Sequence, residues 1–126
     1  IEGIDAALAS AGEGVSDLRS ELAAAVATVR KATDWLNGSD DAVARMAGAT
    51  PYQEMLGTLA GGYYLARQAI AAIYHGVEDP WMAAKVATAR FYAVNLLPKV
   101  HGLLDATIAG PDLLFAVGDD LIGASS

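Results

Sequence analysis

The sequence contains no cysteine, and only two of its 126 residues are histidines, His75 and His101. Without cysteine the chain can form neither a disulfide nor a thiolate metal site, and it has no cysteine nucleophile. Two histidines are also too few for a zinc site built on histidine pairs. We therefore expect a domain that is held together by its hydrophobic core and that binds no metal.

Positive charge is scarce as well, because eight lysines and arginines stand against fifteen aspartates and glutamates, giving a net charge of −7. Nucleic-acid binding depends on basic side chains that neutralise phosphates, and anionic membrane surfaces attract the same side chains. Apolar residues make up 54 % of the chain, yet no run approaches the roughly 18 residues that a membrane-spanning helix needs. We therefore expect neither nucleic acid nor a membrane as a partner.

The N-terminus has no charged segment followed by an apolar one, so no signal peptide is predicted and we expect a cytoplasmic protein. The chain starts at Ile1 rather than at a methionine. Either an initiator segment was removed, or the sequence is a piece of something longer. Its length is that of one domain and is sufficient for a core of its own.

Apolar residues recur every three or four positions, the spacing of amphipathic helices, and 27 residues are alanine, the strongest helix former. Three segments have this spacing, residues 15–36, 52–73 and 82–103. The sequence therefore predicts an all-α fold, an antiparallel helical bundle of three long helices plus one or two short ones. We divide the chain into a loosely ordered lead-in or short helix (1–14), the bundle (15–117) and a tail (118–126).

Caps and prolines set the expected helix ends. Residues 39–41 can cap a short helix that Gly48 interrupts, and Pro51 then opens the second long helix. Pro80, preceded by an aspartate, opens the third long helix, within which Pro98 should cause a kink. Gly110 and Pro111 should stop that helix before a final turn at 112–117.

Three glycines, Gly57, Gly61 and Gly62, lie within the second long helix, and the first two are four residues apart. Small residues at this spacing allow another helix backbone to approach closely. We therefore predict close packing of two helices at these glycines. A ligand that approaches the bare backbone is the alternative.

No catalytic constellation of residues is evident, and the candidate functional side chains are cationic or aromatic: Arg67, Lys85, Arg90 and Tyr92. The three cations lie among apolar neighbours, where they can extend their stems along the bundle, form ion pairs, or face a partner. Arg67 can also stack on Tyr63 in the same face. We expect an acidic partner for Arg90, and the internal candidates are Asp34, Glu54 and Asp105.

Two runs, ATPYQEMLGTLAGGYYLARQAIAA and AAKVATARFYAVNLLPKVHGL, resemble the C-terminal accessory domain of a large bacterial acyl-CoA dehydrogenase subfamily that includes methylmercaptopropionyl-CoA dehydrogenases. The resemblance covers most of the chain, from about residue 15 to residue 117. The matching positions are Thr50, Pro51, Tyr52, Leu56, Gly57, Ala69, Lys85, Ala87, Ala89, Arg90, Phe91, Tyr92, Leu97, Pro98 and Gly110.

The resemblance implies a parent enzyme that oxidises an acyl-CoA to the enoyl-CoA with FAD. The catalytic glutamate and the FAD contacts would lie in preceding domains, so this chain would have no catalytic or cofactor-binding residue, and neither Glu54 nor Glu78 would be the base. The chain would pack on the catalytic body or across an oligomer, where Arg90 could find an external acid. A freestanding helical interaction module without a dehydrogenase parent is the competing hypothesis, and an enzyme in its own right has little support.

Overall fold

A computed structural model describes residues 2–109, and helices account for most of them. The helices are α1 (Glu2–Ser10), a 3₁₀ turn (Glu13–Val15), α2 (Ser16–Gly38), α3 (Ala42–His75), α4 (Pro80–Asn95) and α5 (Lys99–Ile108). There is no strand in this described range, and the predicted all-α class is confirmed. The predicted stop at Gly110, the turn at 112–117 and the tail lie outside the described residues. Within 2–109 no helix is long and apolar enough to cross a membrane.

The chain reverses direction between α2 and α3 and again between α3 and α4, whereas α4 and α5 run in the same direction. The hydroxyls of Thr33, late in α2, and Tyr52, early in α3, are 2.6 Å apart, so these helices are antiparallel. Tyr92 in α4 donates a hydrogen bond to the carbonyl of Thr58 in α3. Thr28 Oγ1 in α2 lies 2.6 Å from His101 Nδ1 in α5.

Helix α4 follows the end of α3 after four residues, and Tyr92 near its own end reaches back to Thr58, so α4 is antiparallel to α3. Leu97, just before α5, contacts Gly62. Thr107, near the end of α5, contacts Gly48, so α5 is also antiparallel to α3. Both helices therefore run parallel to α2.

The predicted interruption between residues 48 and 51 is wrong, because α3 is one continuous helix of 34 residues. It begins where Asp41 accepts a hydrogen bond from the Val43 amide at 3.0 Å, the cap expected at 39–41. A proline in a helix interior removes one backbone hydrogen bond. Buried residues of α3 lie on both sides of Pro51 along the chain, at Gly48 and Met55. Gly48 itself is buried against α5.

The third predicted helix is divided into two helices near Pro98, where a kink within one helix was predicted. The amides of Leu96 and Leu97 both donate to the Tyr92 carbonyl, at 2.8 and 3.0 Å, and α4 ends there. Pro98 then serves as the N-cap residue of α5. The turn between the two helices directs Leu97 into the core, where it is fully buried.

The core follows the predicted spacing of apolar residues, with one local exception in α3. In α2 the predicted seam is buried from Val15 to Ala32. In α3 Leu59 and Ala66 of the predicted segment are buried, but Met55 is the core side chain in the turn where Leu56 is 42 % exposed. Alanines fill much of the remaining interior and are fully buried at Ala25, Ala32, Ala66, Ala69, Ala89 and Ala93.

Candidate functional site

The polar side chains inside the bundle are fully satisfied. Within the described residues, no buried side-chain nitrogen or oxygen lacks a hydrogen-bond partner. The same range contains no group of three or more His, Asp or Glu side chains that could hold a metal ion. The buried Thr107 hydroxyl, for example, donates to the Leu103 carbonyl at 2.9 Å. The functional candidates among the described residues are therefore the side chains that join helices and the side chains that are exposed at the surface.

Tyr92 joins α4 to α3. Its hydroxyl donates to the Thr58 carbonyl oxygen at 2.7 Å, and its ring covers the backbone at Gly61. Burial of the phenol raises the pKa of Tyr92 above its ordinary value. The Tyr92 hydroxyl therefore faces the bundle, and contact of this residue with a partner stays a prediction.

Arg90 pairs with Asp17, in the first turn of α2. The guanidinium Nη2 lies 3.0 Å from Asp17 Oδ2, and Nε donates to both carboxylate oxygens at 3.1 Å. Hydrogen bonds from Arg90 hold the pKa of the Asp17 carboxyl below its usual value. None of the three predicted acids is the partner, and the described residues supply one without an external protein.

Replacing Arg90 with alanine should lower the free energy of unfolding slightly at neutral pH, because the ion pair is about half exposed. The pKa of Asp17 is lower in the folded than in the unfolded chain. The stabilisation from the pair is thus fully present above the unfolded pKa and is lost as the pH falls through the folded pKa. Urea midpoints of wild type and Arg90→Ala should therefore converge in acid.

Arg67→Ala is the matched control, because Arg67 lies 6.0 Å from the Tyr63 ring centroid and makes no ion pair with a described residue. The difference in urea midpoint between wild type and Arg67→Ala should therefore not shrink over the pH range in which an aspartate titrates. A difference between wild type and Arg90→Ala that stayed constant down to strongly acidic pH would contradict the assigned pair.

Arg67 and Lys85 have exposed side chains on different helices. Arg67 stacks on Tyr63 as the spacing predicted. Lys85 forms no ion pair within residues 3–109, so its charge is available to solvent or to a partner. Arg67 lies in α3, whereas Lys85, Arg90 and Tyr92 lie in α4. That these four residues meet a partner stays a prediction.

The glycines have three different environments. A Cβ at Gly62 would lie 2.8 Å from Leu97 Cδ2, and one at Gly61 would lie 2.5 Å from the Tyr92 hydroxyl. Among the described residues, a Cβ at Gly57 would meet no atom within 4 Å, so the close packing predicted for Gly57 is not found there. The closest backbone contact is at Gly48, where a Cβ would overlap the Thr107 carbonyl of α5. Sequence reasoning missed Gly48 because it was interpreted as a helix breaker.

An open groove of about 350 Å³ lies where the turn after α1, the end of α3 and the side of α4 meet. Its lining is mainly apolar and includes Val15, Ile73 and Val86, with Arg90 also present. Beside it, α4 exposes two large rings, because Trp81 is 79 % and Phe91 is 63 % exposed. This arrangement can accept apolar side chains of another surface.

Comparison with known proteins gives one family. A family model described as "Acetyl-CoA dehydrogenase C-terminal like" matches residues 1–117. No curated protein and no solved structure matches the chain significantly. The family match agrees with the helical fold and with the resemblance in the sequences of α3 and α4. The chain therefore belongs to the family of acetyl-CoA dehydrogenase C-terminal-like domains.

Proposed function

We propose that the chain is the non-catalytic C-terminal domain of an FAD-dependent acyl-CoA dehydrogenase of the bacterial methylmercaptopropionyl-CoA dehydrogenase-like subfamily, and that it packs on that enzyme's catalytic domains or across its oligomer. The parent oxidises an acyl-CoA thioester to the enoyl-CoA. Its catalytic base and its FAD site lie in other domains. The observation that carries the proposal is the family match over residues 1–117.

Two features of the chain support a packing role. The described residues provide no strand-to-helix glycine turn of the kind that holds a dinucleotide, and the interior polar groups are engaged with one another. The surface, in contrast, exposes large apolar side chains such as Trp81, Phe91 and Met46. Exposed apolar surface of this kind is typical of a domain that meets another protein.

The test compares the full-length product of the reading frame that encodes this chain with the purified chain alone. We expect the full-length protein to show flavin absorbance and to reduce a dye when acyl-CoA is added. The chain alone should show neither. A flavin band or turnover in the chain alone would contradict its non-catalytic role. A reading frame without a dehydrogenase would favour the freestanding interaction module.

A further inference from the structure

Helix α4 has an outer face without charge. This outer face is the set of exposed side chains on the side of α4 opposite the buried Ala89 and Ala93. It covers a sector of about 120° around the helix axis, because successive residues are rotated by about 100°. It consists of Ala84, Ala87, Thr88, Phe91, Val94 and Asn95. A surface helix normally carries charged residues opposite its core side, and a helix that is apolar all round is normally buried. The outer face lacks that charge, although two of its six side chains, Thr88 and Asn95, are polar.

Phe91 lies at the centre of this face and points directly away from the core. With 63 % of its surface exposed, it makes little contact with the other residues that the structure describes. Trp81, at the start of the helix, adds a second exposed ring. Aromatic side chains at the centre of a patch are the usual anchors of protein interfaces. The apolar groove that Val86 and Ala87 line runs along one side of the helix, so a ridge and a groove lie next to each other.

The charges at the edges of α4 are of one sign. The helix contains Lys85 and Arg90 and no acidic residue, in a protein whose net charge is −7. Arg90 forms an ion pair with Asp17, whereas Lys85 has no ion-pair partner among the described residues. A complementary surface would therefore be apolar at its centre and would offer a carboxylate opposite Lys85.

Resting on the proposed function, we propose that the outer face of α4 is the surface by which this domain docks on the catalytic domains of its parent enzyme. A second copy fits less well, because two α4 helices face to face would bring lysines together without a carboxylate on either helix. An anionic bilayer fits less well too. Helices that lie on membranes are rich in lysine and arginine, and the net charge here is negative.

The test measures binding of the purified chain to the separately purified catalytic domains from the same reading frame by titration calorimetry. Phe91→Glu should weaken binding at least about 30-fold, the effect of losing a buried aromatic anchor. Tyr64→Glu is the matched control, since Tyr64 is 60 % exposed but lies in α3. The affinity of this variant for the catalytic domains should stay within about threefold of wild type. Lys85→Glu should weaken binding more at low salt than at high salt.

All three glutamate variants should keep the wild-type melting temperature, since none of the three side chains is in the core. Wild-type affinity in Phe91→Glu would overturn the docking face while leaving the proposed function intact. A dimer of the chain, or binding to phosphatidylserine vesicles, that Phe91→Glu abolishes would assign the face to a different partner. Absence of any dehydrogenase from the reading frame would instead refute the proposed function.

Discussion

Replacing Gly48 with alanine is expected to destabilise the protein by about 1–3 kcal/mol. A Cβ at this position would overlap the Thr107 carbonyl oxygen, which belongs to the backbone of α5 and cannot rotate away as a side chain can. Helices α3 and α5 must therefore move apart, and the buried side chains on either side of the contact lose packing. The loss should exceed the gain of up to about 1 kcal/mol from the better helix propensity of alanine.

Gly57→Ala is the matched control for this substitution, in the same helix. A Cβ there meets no atom of residues 2–109 within 4 Å, so only the gain in helix propensity remains and stability should be unchanged or higher. Urea denaturation followed by circular dichroism measures both variants. Equal effects at the two positions would show that α3 and α5 do not touch at Gly48.

Replacing Leu97 with alanine should cost about 2–5 kcal/mol, the range for removing a fully buried leucine. Leu97 is the side chain that the turn between α4 and α5 inserts against Gly62 of α3. Its loss leaves a cavity at the point where three helices meet. Leu56→Ala is the matched control, and because Leu56 is 42 % exposed its loss should be much smaller.

A double-mutant cycle with Gly62→Ala tests whether this contact is the cause. Alone, the added methyl would lie 2.8 Å from Leu97 Cδ2 and should destabilise the protein. In the Leu97→Ala background the same methyl enters the cavity. The two changes should therefore compensate by about 0.5–3 kcal/mol, as for residues in direct contact. Strictly additive losses would mean that the two residues do not share one site.

Local features of the fold were predictable from the sequence. The caps at Asp41 and Asp79 accept the hydrogen bonds that their positions predicted, from Val43 and Trp81. The α2 seam was also predictable, because one face of regularly spaced apolar residues leaves little freedom in the orientation of the helix. Both features depend on residues within a few positions of each other.

Features that depend on two helices at once were not predictable. The continuity of α3 through Pro51 reflects packing that no local signal carries. The partner of Arg90 depends on the relative rotation and register of α2 and α4, which place Asp17 opposite it although 73 residues separate the two in sequence. The roles of Gly48 and Gly57 were reversed for the same reason, since spacing along one helix does not indicate which side another helix will occupy.

The alanine-rich interior also has a consequence for how stability changes with temperature. Six fully buried alanines, such as Ala66 and Ala93, place little apolar surface in the core compared with leucine or phenylalanine. The heat capacity of unfolding follows the apolar surface that becomes exposed, so it should be small for a chain of this length. The curve of unfolding free energy against temperature is then broad and shallow, and cooling removes little of the protein's stability.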